Sequence, residues 1–583
     1  MTNLYRASAE AFSDAYKVGM SMLHELQIED FEVSIANSYS NFTPRKNCFM
    51  NFCEQSDGHL VVFGTRDSFQ AIVALWNKTF FSKSERKVMK RLKKRTKHVF
   101  GSLAEHEKFL TDMRKLHQLG YLPIEVRSID EGTKYPIGLP VFTVKATIDG
   151  FGWLVNYLET VSSGEIWPMI NTATKVEQFY LQAKHYGELS TPPEVLKNWL
   201  PIAVHEFGMR GYRGMEDQIR TSSAHSLFFK GSDTLAVVDF FKNVYDADIE
   251  KDIIVNSVRA SEHADISRLL SLFRHLAQKC LEEGREEFLG ADPKAVLADT
   301  ELFVLKWVVE NSTGIMSYVA DTENYYRLIN VYAKQLADLI RARKPREDGQ
   351  PAIFVFRPDS SRRTPLTVIC GYRVYSINHM NAMEYEDDIC FVDEASDEYF
   401  LKNKDGSTIR ISREEAEGSL ISLWNTFGGT EVETKAGLMK LIDPSVSLIY
   451  GEAISQTHQK EIYERMIEMG FSVSNLLIGK GSYASLENST RDLFSMSYKQ
   501  TFSEAIINGE RVKLEQQKKP MGDVSKTSAK GLLRVEKTSE GEYILHQEQT
   551  EEQEKQGELT LLLRDGIFHK KQSYSNIISI YLS

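Results

Sequence analysis

The chain of 583 residues exceeds what one ordinary hydrophobic core supports, and its 42% apolar content is enough to fill at least two domains. Its 81 acidic against 70 basic side chains leave a formal charge of −11, which argues against a general nucleic-acid or anionic-membrane binder and for small-molecule partners. Cys48, Cys53, Cys280, Cys370 and Cys390 lack the number and spacing of a disulfide framework or zinc site. Met1 to Ala7 carries no apolar signal core, and no later run approaches the roughly 18 apolar residues of a membrane span, so a reducing, cytoplasmic setting is expected.

In chain order, residues 30–65 mix β-formers with turn residues, as in Phe31-Glu32-Val33-Ser34-Ile35 and His59-Leu60-Val61-Val62-Phe63, and predict short strands. Ser82 to Phe100 predicts a strongly basic helix with Val88, Leu92 and Val99 as a thin apolar stripe. In an acidic chain a solvated face accounts for it better than a nucleic-acid or membrane patch. Leu122 to Val126 and Leu139 to Val144 predict two strands joined by a turn around Asp130 to Gly138, ahead of a helical run from Trp153. Thr174 to Tyr186 and Ala264 to Glu283 predict helices. The apolar runs Ile315 to Val319, Ile353 to Phe356, Ser447 to Tyr450 and Asn475 to Ile478 each end in a polar or glycine-bearing segment: Asp321, Arg357-Pro358-Asp359-Ser360, Gly451-Glu452 and Gly479-Lys480-Gly481-Ser482. Strands whose C-terminal ends all carry polar groups predict the active face of a βα barrel.

Residues 372–417 are acidic, without helical period, and hold Asp405-Gly406 between β-like flanks, which predicts an inserted hairpin. Leu532 to Val535, Glu542 to Leu545 and Leu559 to Leu563 predict further strands, and the Glu- and Gln-rich Gln547 to Gly557 a mobile surface loop. The expected architecture is therefore α/β: an irregular βα barrel over 151–494 with an insertion at about 372–417, and a β-rich second domain in which an α+β unit at 1–150 is completed by 495–583.

Two patches, His205-Glu206-Phe207-Gly208-Met209-Arg210-Gly211 and Phe229-Lys230-Gly231-Ser232-Asp233-Thr234, suit a flat amide-bearing ring beside a phosphate. An aromatic face stacks on a heteroaromatic ring, a carboxylate accepts an amide N–H, and an arginine fork clamps phosphate oxygens. The same residues also fit blander roles: Phe207 as a core aromatic, Arg210 and Arg357 as ion-pair partners, Asp233 as a helix cap, Gly479 to Ser482 as a turn, and Glu262-His263 as a structural pair. Neither patch offers a nucleophile, so the chemistry expected is one that substrates perform once positioned and neutralised.

With Asp14-Ala15-Tyr16-Lys17-Val18, Asn41-Phe42-Thr43-Pro44-Arg45, Trp153 to Thr160, Ser261-Glu262-His263 and Thr490-Arg491-Asp492-Leu493 added, the sequence resembles the nicotinamide phosphoribosyltransferase family, of the type II phosphoribosyltransferase fold, over nearly its whole length. The resemblance implies transfer of the phosphoribosyl group of phosphoribosyl pyrophosphate (PRPP) to nicotinamide in NAD salvage, with Mg²⁺ as cofactor and ATP as co-substrate. It also implies a homodimer with shared active sites. Phe207 would stack on nicotinamide, Tyr16 of the partner subunit would cover its other face, Asp233 would accept the carboxamide N–H, and Asp14 would lie near the ring. Arg210 and Arg357 would contact phosphate, Asp359 and Glu452 after Gly451 the ribose hydroxyls, and Gly481 and Ser482 the 5′-phosphate. Arg45, Arg491 and Lys530 would surround the pyrophosphate. His263, with Glu262, would carry phosphate from ATP, and Asp321 would bind the metal, directly or through water. The residues departing from the family's pattern are Glu452-Ala453, Tyr483-Ala484 and Ser361. Nicotinate phosphoribosyltransferase and a non-catalytic scaffold or signalling protein on the same fold are the alternatives.

Overall fold

The computed structural model describes residues 7–451, 454–522 and 527–582. The four apolar runs form the parallel strands Ile315–Val319, Ile353–Arg357, Val446–Tyr450 and Leu476–Lys480. Val204–Glu206 extends this sheet beside Leu476–Lys480, and Arg259–Ala260 extends it beside Ile315–Val319. Single parallel bridges, Glu206 to Ser232 and Gly231 to Asn256, carry the pairing on from Val204–Glu206 toward the segment that leads into Arg259–Ala260, and the curled sheet is the irregular βα barrel that the polar strand ends predicted.

The two-residue alternation of strands sorts the side chains. Phe354, Phe356, Leu448, Tyr450, Leu476 and Ile478 are almost wholly buried in a core shared with helical residues such as Val176, Phe179, Val304 and Leu305. Ile353, Val355, Ser447, Ile449 and Leu477 point the other way and line a cavity of about 580 Å³ inside the barrel. Small residues such as Ser317 and Ser447 leave this interior unfilled.

A second, largely antiparallel sheet interleaves both ends of the chain in the order Glu510–Glu515, Ser497–Ile507, Phe31–Thr43, Phe142–Ala146, Ile124–Ser128, Thr560–Arg564, Ile567–Phe568. Phe42 and Phe142 stack across it at 5.1 Å. The basic helix spans Glu85–Phe100 and buries Val88, Met89 and Leu92, but Val99 is half exposed. Arg91 and Arg95 of this helix turn back to the buried Glu10.

Two local expectations change. Residues 372–417 contain the predicted hairpin, Glu398–Lys402 against Thr408–Ile411, but within a four-stranded sheet that also holds Arg373–Ser376 and Ile389–Asp393. A helix, Arg413–Phe427, then starts inside the segment that showed no helical period, because Ser412 caps it and Gly418, at φ 79°, breaks its periodicity. Within the stretch read as a mobile loop, Thr550 and Gln553 form a capping box that starts the short helix Glu551–Glu554, and burial of Glu554 near Arg127 (3.7 Å) anchors it. Among the described residues no helix is long and apolar enough to cross a membrane.

Candidate active site at the barrel mouth

The strand ends converge on a polar cavity of about 770 Å³, lined by Phe207, Arg210, Asp233, Glu262, His263, Arg357, Asp359, Gly451, Gly481 and Ser482 among others. It shares Phe207, Asp233, Ala260 and Arg357 with the apolar barrel interior, so a flat apolar ring and a charged sugar phosphate would meet their preferred surroundings on either side of these residues. Glu452 lies outside the described residues.

Close backbone approach builds this mouth. A β-carbon at Gly479 would lie 2.4 Å from the Tyr450 carbonyl, 2.9 Å from Gly451 Cα and 3.0 Å from the Phe207 ring, so only glycine lets the strand end pass under the phenyl group. The Phe207 ring sits 4.5 Å from that of His205, and the Arg357 guanidinium lies 6.0 Å from its centroid, in range of a cation–π contact.

Asp233 does not cap a helix. The next helix, Ala236–Val244, has no side-chain cap, and the Asp233 carboxylate instead accepts from His205 Nε2 at 3.0 Å and Ser257 Oγ at 2.5 Å. Burial pushes its pKa up, but the His205 bond and charge, the Ser257 bond and the nearby Arg357 outweigh burial and hold it below the usual carboxylate range. Asp233 is therefore an anionic acceptor at neutral pH. Arg210 is exposed and has no acidic partner among the described residues.

Arg357 and Asp359 do not pair with each other. Arg357 donates to the Ser261 carbonyl, while Asp359 Oδ1 lies 3.2 Å from His263 Nε2. His263 Nδ1 lies 3.1 Å from Thr322 Oγ1, so Thr322 and Asp359 orient the imidazole. The adjacent Glu262, expected to do so, makes no side-chain hydrogen bond among the described residues; its backbone precedes the helix His263–Glu282. Asp321 Oδ2 accepts the amides of Asp359 at 3.0 Å and Ser360 at 2.8 Å, which fixes the loop after Arg357 although Ser361 stands where glycine was expected.

Tyr16, Asp14, Arg45, Arg491 and Lys530 do not line this cavity in their own chain. Tyr16 is 63% exposed, and Asp14 accepts from Thr160 Oγ1 at 2.6 Å. Arg45 lines a separate polar cavity of about 320 Å³ with Lys499, whose pKa is lowered by burial, countered by Glu159, and lowered further by the charges of Arg45, Lys518 and Arg491. Lys530 follows Ala529 of that cavity and donates its amide to Gln547 there, but its ammonium pairs with Glu515 at 3.0 Å and with Glu548. Sequence reasoning missed His205 as an Asp233 partner, Ser257, Thr322 and Lys499. The first three depend on segments far apart in the chain meeting in space, and a lone lysine within a strand carries no local signal.

No protein-family model matches the chain. It is 30% identical over 541 residues to the nicotinamide phosphoribosyltransferase of Acinetobacter baylyi, an alignment covering 92% of this chain and 91% of that protein. The nicotinamide phosphoribosyltransferase of Mycoplasma pneumoniae is 22% identical over 401 residues, 68% of each chain. Among solved structures, nicotinate-nucleotide pyrophosphorylase from Pyrococcus furiosus aligns with a TM-score of 0.48 and 12% identity, covering 100% of this chain and 97% of that one. At 30% identity over nine-tenths of both chains, the Acinetobacter relationship establishes the family: the chain belongs to the nicotinamide phosphoribosyltransferase family.

Proposed function

We propose that the protein transfers the phosphoribosyl group of PRPP to nicotinamide, giving nicotinamide mononucleotide and pyrophosphate in NAD salvage. The observation that carries the choice of base is the anionic Asp233 at the junction of the two cavities, beside the Phe207 ring. A carboxamide offers an N–H to that oxygen, whereas nicotinate would bring a second negative charge against it.

The C1–O bond to pyrophosphate breaks with its electron pair going to the leaving group, and the pyridine nitrogen forms the C1–N bond with its own lone pair. The ring nitrogen has no proton to lose, so no general base is needed. The chain's task is to hold the ring on Phe207, place the sugar at Asp359 and Gly451, and spread phosphate charge over Arg210, Arg357 and the Gly481-Ser482 turn.

The residues present fit a divalent cation. Asp321 Oδ1 is buried with no hydrogen-bond partner among the described residues, His263 Nε2 standing 3.6 Å away, and His263, Asp321 and Asp359 offer ligand atoms within 4.8 Å of one another. Asp321 and Asp359 would hold Mg²⁺, a hard ion that takes oxygen ligands and would supply neutralisation of phosphate charge. ATP is the co-substrate of a second step, in which an imidazole nitrogen of His263 attacks the γ-phosphorus and ADP leaves with the electrons of the broken P–O bond. The exposed Tyr16 and the Arg45, Arg491 and Lys499 group fit a two-fold homodimer in which each subunit completes the other's site. Purified protein supplied with PRPP and Mg²⁺, and with nicotinamide or nicotinate separately, tests the reading: mononucleotide from nicotinamide is expected, and preferential use of nicotinate overturns it.

A further inference from the structure

The two patches that read as separate in the sequence meet at one buried carboxylate. Glu206 has no exposed surface. Its Oε1 accepts the Gly208 amide at 2.6 Å and the Tyr212 hydroxyl at 2.7 Å, and its Oε2 accepts the hydroxyls of Thr234 at 2.9 Å, Ser222 at 3.1 Å and Ser232 at 3.1 Å. Ser232 and Thr234 flank Asp233, and Gly208 follows Phe207. The Glu206 main chain makes the same join, donating to the Gly231 carbonyl at 3.0 Å and accepting the Asp233 amide at 3.3 Å.

A further branch runs toward the phosphate turn. Tyr212 Oη lies 3.4 Å from Ser485 Oγ, which accepts from the ammonium of the fully buried Lys480. Lys480 is the register partner of Glu206 across the parallel strands, and Gly481-Ser482 follow it directly. An isolated carboxylate costs several kcal/mol to bury, so its retention here requires the donors around it. Those donors belong to the segments that carry the candidate ring face, the candidate amide acceptor and the candidate phosphate turn.

We infer that Glu206 is a positioning residue that fixes Asp233 against Phe207, setting the distance at which the carboxamide is read, and that it links this base site to the phosphate turn through Tyr212. Glu206 touches no substrate; it acts through Asp233 and Phe207. The inference rests on the nicotinamide reading for its kinetic consequence, but not for its structural one.

Glu206→Gln preserves shape while turning an acceptor into an N–H₂ group that faces donors. It should raise KM for nicotinamide by about tenfold, as expected for lost bonds to a charged group, with kcat changed by less than about threefold. The preference for nicotinamide over nicotinate should fall by a similar factor. In an Asp233→Asn background the same change should leave the preference unaltered, because the residue through which Glu206 acts is already gone. Additive effects in the double variant, or an unchanged preference in Glu206→Gln, overturn the inference. Amide hydrogen exchange on the full chain without substrate supplies a readout independent of the activity: Glu206→Gln should speed exchange in 207–212 and 231–235 together, and protection lost in only one segment also overturns it. If Glu206→Gln fails to fold, Thr234→Val, which removes a single donor, should show the same signs at smaller amplitude in both measurements, and their absence counts against the inference equally.

Discussion

Gly211 packs its α-carbon against the hydroxymethyl group of Ser482: a β-carbon at 211 would lie 2.1 Å from Ser482 Oγ and 2.7 Å from its Cβ. The 3₁₀ turn Met209–Gly211 after Phe207 and the start of the short helix Ser482–Leu486 after Lys480 are thus in contact, and Arg210 is held beside the candidate phosphate site. Gly211→Ala should displace Ser482 at a cost of about 1–3 kcal/mol, the usual penalty of a forced contact. The loss should appear in KM for PRPP, with KM for nicotinamide within about twofold, in initial rates measured against each substrate in turn. Equal loss toward both would place the damage elsewhere.

Asp233→Asn or Asp233→Ser should weaken use of nicotinamide by about 1–3 kcal/mol, the cost of a lost buried hydrogen bond, and relieve the penalty against nicotinate. The ratio of the two kcat/KM values is the quantity to measure, since general damage cancels from it. An unchanged ratio in a folded variant would reopen the choice of base.

His263→Ala should lose ATP hydrolysis and the gain in product that ATP brings, while measurable synthesis without ATP persists, because no bond to the sugar depends on the imidazole. Acid-labile phosphate on the wild-type protein after incubation with labelled ATP, absent from the variant, is the direct check. Wild-type ATP turnover by the variant would remove His263 from the scheme.

Tyr16→Ala and Arg210→Ala homodimers should both be nearly inactive. A mixed dimer then carries both defects in one site and none in the other, and should recover up to about half the wild-type activity under two-fold symmetry. Tag-selected heterodimers that stay inactive would mean that Tyr16 acts within its own chain.

Glu554 gives a pH signature unrelated to the active site. Burial raises its pKa from 4.5 to about 7 against the opposing charge of Arg127. Folding therefore takes up a proton at this residue between these values, and its contribution to stability is fully present below 4.5 and lost as pH rises through 7. Glu554→Gln should gain thermal midpoint over the wild type at pH 8 relative to the difference at pH 5. The same offset at both pH values would show that the carboxyl is not the group responsible.

The barrel was legible because its longer strands are apolar runs that stop at polar residues, a pattern that needs no knowledge of neighbours. Val204–Glu206 was not, since three residues have no period to detect. Asp233 had a helix following it in sequence and so suited a cap; only the approach of His205 and Ser257 from other segments gave its carboxylate different partners. Arg357 and Asp359 are two apart and looked like a pair, but the turn at Pro358 sends one to the Ser261 carbonyl and the other to His263. The grouping of Arg45 with Lys499 depends on the pairing of strands far apart in the chain, which no local pattern encodes.

That pairing also dictates the order of events during synthesis. Phe31–Thr43 gains Ser497–Ile507 as its neighbour only after about 450 further residues have been made. At roughly 5–20 residues per second this is about twenty seconds to a minute and a half of translation, during which one flank of an early strand has no native mate. An unpaired strand flank invites pairing with other chains. A nascent polypeptide of this design carries that open flank until Ser497–Ile507 emerges, and a chain stopped short of that strand would leave with an adhesive edge in place of a finished sheet.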